Sequence, residues 1–119
     1  LEYIFGQVFR VFAWVIGVDW VDTLQVGSLL GQKTVINEFV AYLSLAEMKE
    51  AASISTKSII IATYALCGFS NFSSIAIQLG GISIIAPNQQ GNLSRLGLRA
   101  LMAASLACLM TATVAGMLV

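Results

Sequence analysis

The sequence is poor in the residues from which metal sites, redox sites and soluble surfaces are built. It contains no histidine, one proline and two cysteines, and only 10% of its 119 residues are charged. Without histidine or a CxxC motif, a zinc site and a Cys/His catalytic pair are nearly excluded, so we expect no metal and no cofactor. The net charge is zero, and no basic cluster argues for a nucleic-acid partner.

What is abundant is apolar surface. Hydrophobic residues make up 58% of the chain, and the mean hydropathy is +0.87. A soluble domain carries about 25% charged residues, so the lipid bilayer is the simpler solvent for this chain. We therefore expect an all-α membrane protein. The chain starts at Leu1 without a basic signal-peptide region, which we interpret as a piece of a longer protein.

Residues 1–20 are predicted to form an interfacial helix. Apolar residues recur at helical spacing from Ile4 to Ile16, and Trp14 and Trp20 flank the end of this pattern. Indole rings favour the headgroup layer, so the helix would lie along the membrane surface. An ordinary helix packed on another part of the protein is an equal alternative.

Residues 24–48 are predicted to form a re-entrant helical hairpin. Lys33 and Glu38 near the centre argue against a single spanning helix, which needs about 20 mainly apolar residues. Two arms of roughly 12 residues with a turn near Asn37 fit better, and each arm would reach about 18 Å. Such a hairpin is tolerated where its tip is buried in protein or lines a cavity.

Residues 56–87 are predicted to form a broken transmembrane helix. One continuous helix over the 30 apolar residues that end at Pro87 would be about 45 Å long, against a hydrocarbon core of about 30 Å. Gly68 and the polar residues after it favour a break in the middle.

Residues 99–119 are predicted to form the final transmembrane helix, preceded by a polar loop from Asn88 to Arg99. The positive-inside rule applied to Arg95 and Arg99 puts this loop in the cytoplasm and the C-terminus outside.

Five polar side chains at three- or four-residue spacing form one stripe on the broken helix. They are Thr63, Cys67, Asn71, Ser74 and Gln78. Hydrogen bonds between membrane helices would explain some of them. A cluster around a helix break fits a polar cavity for an uncharged, polyhydroxylated ligand better, because unpaired polar groups cost several kcal/mol in hydrocarbon. Phe69 and Phe72 would add an apolar wall.

Glu38 is the second candidate. An ionisable residue at membrane depth is a functional hypothesis, and a carboxylate accepts hydrogen bonds from two hydroxyls at once. A surface position, or a structural pair with Lys33, is the plainer alternative. The combination favours a transporter. A structural membrane subunit and a membrane-embedded enzyme are the competing classes, and no G-x-S-x-G motif or metal cluster supports an enzyme.

Two long motifs give a more specific indication. GQKTVINEFVAY at 31–42 and ALCGFSNFSSIAIQ at 65–78 resemble the signatures of concentrative nucleoside transporters, and GLRA at 97–100 fits as well. The resemblance implies the C-terminal structural repeat of an ion-coupled nucleoside symporter in a bacterial inner membrane. It further implies a homotrimer, a nucleoside substrate and an N-terminal half that holds the base and the Na⁺ or H⁺ ligands.

The resemblance also assigns roles to individual residues. Glu38, Asn71 and Ser74 are expected to bond the ribose, and Phe69 to line the pocket beside the nucleoside. Asn37 and Gln78 are weaker candidates for a supporting role.

Overall fold

The computed structural model describes residues 2–119, which form helices and no strand. The all-helical fold class is thereby confirmed. The helices are α1 (Glu2–Val15), α2 (Thr23–Val35), α3 (Glu38–Glu50), α4 (Thr56–Leu66), α5 (Phe72–Ile85) and α6 (Gln90–Met117), with a single 3-10 turn at Pro87–Gln89.

α2 and α3 form a hairpin whose two arms are separated by Ile36 and Asn37. Asn37 has extended backbone, φ −169° and ψ 169°, and its side chain accepts a hydrogen bond from the Val40 N–H. An asparagine in this conformation satisfies one of the free N–H groups at a helix start, so α3 begins immediately after the turn. The hairpin tip is therefore short and well defined.

α4 and α5 are two halves of an interrupted helix, with residues 67–71 unwound between them. Gly68 has φ +133°, a conformation that side chains with a Cβ rarely adopt. Asn71 then turns the chain back into a helix by accepting a hydrogen bond from the Ser74 N–H at 2.7 Å. The break divides the polar stripe: Thr63 lies on α4, whereas Ser74 lies on α5.

α6 starts earlier than the sequence suggested. The expected polar loop from Asn88 to Arg99 is instead a 3-10 turn followed by helix from Gln90 onward. Polarity does not stop a helix, and isolated glycines such as Gly91 cost only about 1 kcal/mol each. The last helix-breaking residue here is Pro87, which begins the 3-10 turn.

α1 packs closely on α2 at a crossing of glycines. A Cβ added at Gly27 would come 2.7 Å from the Gly6 carbonyl oxygen, and one added at Gly31 would collide with Phe5. Small residues let two helix backbones approach in this way. The other side of α1 carries exposed apolar side chains, among them Tyr3, Val8 and Trp14.

The buried core is built from α1, α2, α3, α4 and one position of α6. Its most fully buried apolar residues are Ala13, Val26, Leu29, Ala41, Ile61, Ala62, Ala65, Leu66 and Ala112. Among the described residues, one helical stretch, Pro87–Met117, is long and apolar enough to cross a membrane. Most of its surface is exposed in this chain, unlike the core helix of a soluble protein.

Candidate functional site

The two helix breaks lie side by side. The Asn71 side-chain amide donates a hydrogen bond from Nδ2 to Glu38 Oε2 at 2.6 Å. A second bond joins the same two regions, from Ser73 Oγ to the Ile36 carbonyl at 3.1 Å. The hairpin tip and the unwound segment therefore form one polar site, although Glu38 and Asn71 lie 33 positions apart in the sequence.

Asn71 is held firmly from both ends of its amide. Its Oδ1 accepts from the Ser74 N–H at 2.7 Å and from Ser74 Oγ at 2.8 Å, while Nδ2 bonds Glu38. Asn71 is only 1% exposed and Ser74 6%. A buried amide with this set of partners has one favourable orientation, which fixes the position of the Glu38 carboxylate.

Glu38 occupies the first turn of α3 and is half-buried. A carboxylate is favoured there by the free N–H groups and by the dipole at a helix start. Among the described residues, Oε1 of Glu38 accepts no protein hydrogen bond. The suggested pair with Lys33 is absent, because Lys33 Nζ instead donates to the Ala65 carbonyl at 2.8 Å. Glu38 thus keeps one oxygen free for further donors.

A cavity of about 180 Å³ lies between α5 and α6 beside this network. Phe69, Asn71, Ser74 and Gln78 line one side, and apolar residues of α6 line the other. The Phe69 ring is 73% exposed, so it is available to contact a further molecule or another part of a larger protein. Glu38 does not line this cavity; it contacts the site through Asn71.

Asn37 and Gln78 stand apart from the polar network. Asn37 uses its side chain to cap α3 and makes no bond to Glu38 or Asn71. Gln78 is exposed on α5, one turn beyond Ser74, and reaches the site only as part of the cavity wall.

The structure adds three residues that the sequence did not single out in this role. Lys33 of α2 and Tyr42 of α3 both donate to carbonyls near the end of α4, Lys33 to Ala65 and Tyr42 to Thr63 at 2.8 Å. Asp22, just before α2, accepts from the Ser58 hydroxyl at 2.6 Å near the start of α4. The available signal was a pair of charges at the two ends of α2, Asp22 just before it and Lys33 in its last turn, although their partners lie far away in the sequence.

Asp22 is 7% exposed. Its burial raises the pKa of the carboxyl, but the hydrogen bonds from Ser58 and Ser55 lower it by more, so the pKa of Asp22 lies below its usual value. Asp22 is therefore a stable anion at neutral pH. Within residues 2–119, no group of three metal-ligating side chains comes together.

Comparison with known proteins identifies the family. A family model described as "Na+ dependent nucleoside transporter C-terminus" matches residues 1–116. The chain belongs to the concentrative nucleoside transporter family. Members of this family are transporters, so the expectation that the chain belongs to a transporter family is confirmed.

Relatives in the family come from bacteria and animals. The chain is 48% identical to "Uncharacterized transporter YutK" of Bacillus subtilis, over 100% of this chain and 29% of the relative. It is 41% identical to "Sodium/nucleoside cotransporter 1" of Sus scrofa, over 98% of this chain and 20% of the relative.

The solved structure of the family transporter CNTnw in an inward-facing substrate-bound state has the same fold. Its TM-score to this chain is 0.94 at 46% identity, covering 98% of this chain and 29% of CNTnw. Other CNTnw structures of similar fold are described as intermediate and outward-facing states. The chain thus spans less than a third of the length of these relatives.

Proposed function

We propose that this chain is the C-terminal part of an ion-coupled nucleoside symporter and supplies the ribose-binding half of its substrate site. The hairpin tip and the broken helix would hold the sugar between them, with Glu38, Asn71 and Ser74 as its hydrogen-bond partners. Phe69 would lie beside the nucleoside, and Asn37 and Gln78 would support the site from its edges.

The observation that carries this proposal is the 2.6 Å hydrogen bond between Asn71 Nδ2 and Glu38 Oε2. It holds a carboxylate in place while leaving Oε1 free. A free carboxylate oxygen has two lone pairs, which suits two neighbouring hydroxyls, and a ribose carries such a pair. Charge-assisted bonds of this type are about twice as strong as neutral ones, so the site favours a sugar with both hydroxyls present.

The remaining parts of the transporter belong to the same proposal. The base and the coupling ion, Na⁺ or H⁺, would be bound by an N-terminal half, and three complete subunits would form the transporter. We place it in a bacterial inner membrane with hairpin 24–48 re-entrant and helix 1–20 on its surface. Arg95 and Arg99, both exposed near the start of α6, favour a cytoplasmic start and an outer C-terminus for that helix.

The direct test is uridine uptake by the full-length transporter carrying Glu38→Gln. The amide has the same shape but loses the charge and one acceptor oxygen. We expect it to lose most uptake at the wild-type amount of membrane protein. Glu50→Gln is the matched control, because Glu50 is an exposed glutamate at the other end of the same helix. Its uptake should equal that of the wild type.

Near-wild-type uptake by Glu38→Gln would remove Glu38 from the substrate site. A structural membrane subunit, the competing class, predicts a different result in a second assay. In that case uridine would leave the melting temperature of the detergent-solubilised full-length protein unchanged, whereas a substrate-binding transporter is stabilised by its ligand.

A further inference from the structure

α4 is held at both of its ends by residues of the hairpin region. At its start, Asp22 Oδ2 accepts from the Ser55 N–H at 2.9 Å and from the Ser58 hydroxyl at 2.6 Å. At its end, Lys33 Nζ donates to the Ala65 carbonyl at 2.8 Å. α2 and α4 therefore run side by side in the same direction.

The spacing of these two charges matches the length of the helix that they hold. Asp22, just before α2, and Lys33, in its last turn, lie eleven positions apart, and α4 has 11 residues. Both spans are about 16 Å at 1.5 Å per residue. The signs match as well, because an anion is favoured at the start of a helix and a cation at its end.

The other arm of the hairpin reaches the same end of α4. Tyr42 on α3 donates its hydroxyl to the Thr63 carbonyl at 2.8 Å. Thr63 and Ala65 are among the last four residues of α4, whose carbonyls lose their helical partners where the helix unwinds. Tyr64, also among the four, accepts from the Cys67 N–H. Side chains from both arms thus satisfy carbonyls that the break sets free.

Lys33 is an unusual residue for this purpose. It is only 3% exposed, and the structure gives it no acidic partner among the described residues. A buried lysine costs free energy unless its charge is compensated, so a neutral donor would be the cheaper choice if packing were the only requirement. The carbonyl end of α4 is the compensation that the fold offers.

We propose that Asp22, Lys33 and Tyr42 form an α4 clamp whose function is to position the substrate site. The α4 clamp fixes the unwound segment 67–71 against the hairpin tip, and this sets the distance between Asn71 and Glu38. Lys33 and Tyr42 are positioning residues, since each donates its hydrogen bond to a carbonyl of α4 and not to Glu38 or Asn71. The inference rests on the proposed function only for its transport measurement.

The test uses the full-length transporter with Lys33→Met, which keeps a long unbranched side chain and removes its charge and its donors. Two quantities are measured: the KM for uridine uptake, and the amide hydrogen exchange of residues 67–71 without nucleoside. We expect the KM to rise about tenfold or more, because a charged hydrogen bond in a buried site is lost. Exchange in the unwound segment should become several-fold faster.

Two comparisons separate positioning from general damage. Lys49→Met removes an exposed lysine from the end of α3 and should change neither quantity. Lys33→Arg keeps the charge and the donors, and the neighbouring apolar cavity of about 300 Å³ gives room for the larger side chain. We therefore expect the KM for uridine and the exchange rate of residues 67–71 to stay close to their wild-type values in this variant. The KM for 2′,3′-dideoxyuridine should rise less than that for uridine, because a sugar without the 2′ and 3′ hydroxyls loses little when Glu38 is displaced.

Unchanged exchange and unchanged KM in Lys33→Met would overturn the clamp. Faster exchange with an unchanged KM would overturn its positioning role. If Lys33→Met yields no folded protein, Tyr42→Phe removes only a hydroxyl and should raise the KM a few-fold with faster exchange; no change in either would count against the clamp. Hydrogen exchange is measured without nucleoside, so its result does not depend on the ribose proposal. A Glu38→Gln result that overturns ribose binding can therefore be distinguished from a result that overturns the α4 clamp.

Discussion

The hairpin tip and the break between α4 and α5 share one feature, a capping asparagine, but the two asparagines differ in their other hydrogen bonds. Each places an asparagine with extended backbone before a helix, and each asparagine accepts a hydrogen bond from the N–H three residues on. The Asn37 side chain makes no other hydrogen bond to the residues that the structure describes. Asn71, in contrast, is buried and also holds Ser74 and Glu38.

The difference lies in how the chain arrives at each asparagine. At the hairpin tip, helix α2 ends at Val35, so only Ile36 and Asn37 separate the two helices and Asn37 is half-buried. At the second break, five residues are unwound and Gly68 redirects the backbone. The longer break carries Asn71 inward to Glu38. Both asparagines cap a helix, but among the described residues only Asn71 also donates a hydrogen bond from its amide to Glu38.

The largest effect on this comparison is expected from the matched pair Asn71→Ser and Asn37→Ser. Serine caps a helix about as well as asparagine, so both variants keep the cap. Only Asn71→Ser loses the donor to Glu38. We expect its affinity for uridine to fall about tenfold or more, whereas Asn37→Ser should stay within about twofold. Equilibrium binding to the purified full-length protein measures both.

Equal losses in the two serine variants would show that the asparagines act only through their helices. Equal losses for uridine and for 2′,3′-dideoxyuridine in Asn71→Ser would likewise argue for packing instead of ribose binding.

A smaller effect is expected from Gly68→Ala, which tests the backbone of the longer break. The added Cβ would be strained at φ +133° and would lie 2.8 Å from Cys108 Sγ. We expect a lower melting temperature and a several-fold higher KM for uridine. Gly80→Ala is the control, since nothing lies within 4 Å of a Cβ there and alanine favours a helix. A Gly68→Ala protein as stable and active as the wild type would show that the break tolerates other backbone paths.

The two breaks were within reach of sequence reasoning because they follow from local chemistry. An uncharged segment longer than the bilayer core had to bend, and Gly68 with the polar residues after it marked the place. Charges within 24–48 excluded one spanning helix and placed the turn near Asn37. The start of α6 was missed for a local reason too: polar residues were interpreted as loop, although Gln90 to Arg99 contain no helix breaker beyond single glycines.

The partners of Lys33 and Asp22 were not predictable in the same way. Because Glu38 is only five positions from Lys33, the sequence suggested the two as partners. In the structure, Lys33 lies on α2 and Glu38 on α3, on opposite sides of the turn between these helices. Their actual partners are supplied by tertiary packing of α4, about 30 residues further along the chain. The same holds for the Glu38–Asn71 bond, where a shared depth was expected from the sequence but the direct contact was not.

The central claim is that Glu38, held by Asn71, recognises the ribose hydroxyls. The most direct measurement is the binding of uridine and of 2′,3′-dideoxyuridine to the purified full-length transporter, in wild-type and Glu38→Gln forms. We predict that the wild type prefers uridine by about tenfold or more and that Glu38→Gln loses most of this preference. A Glu38→Gln protein that discriminates between the two ligands as well as the wild type would contradict the account.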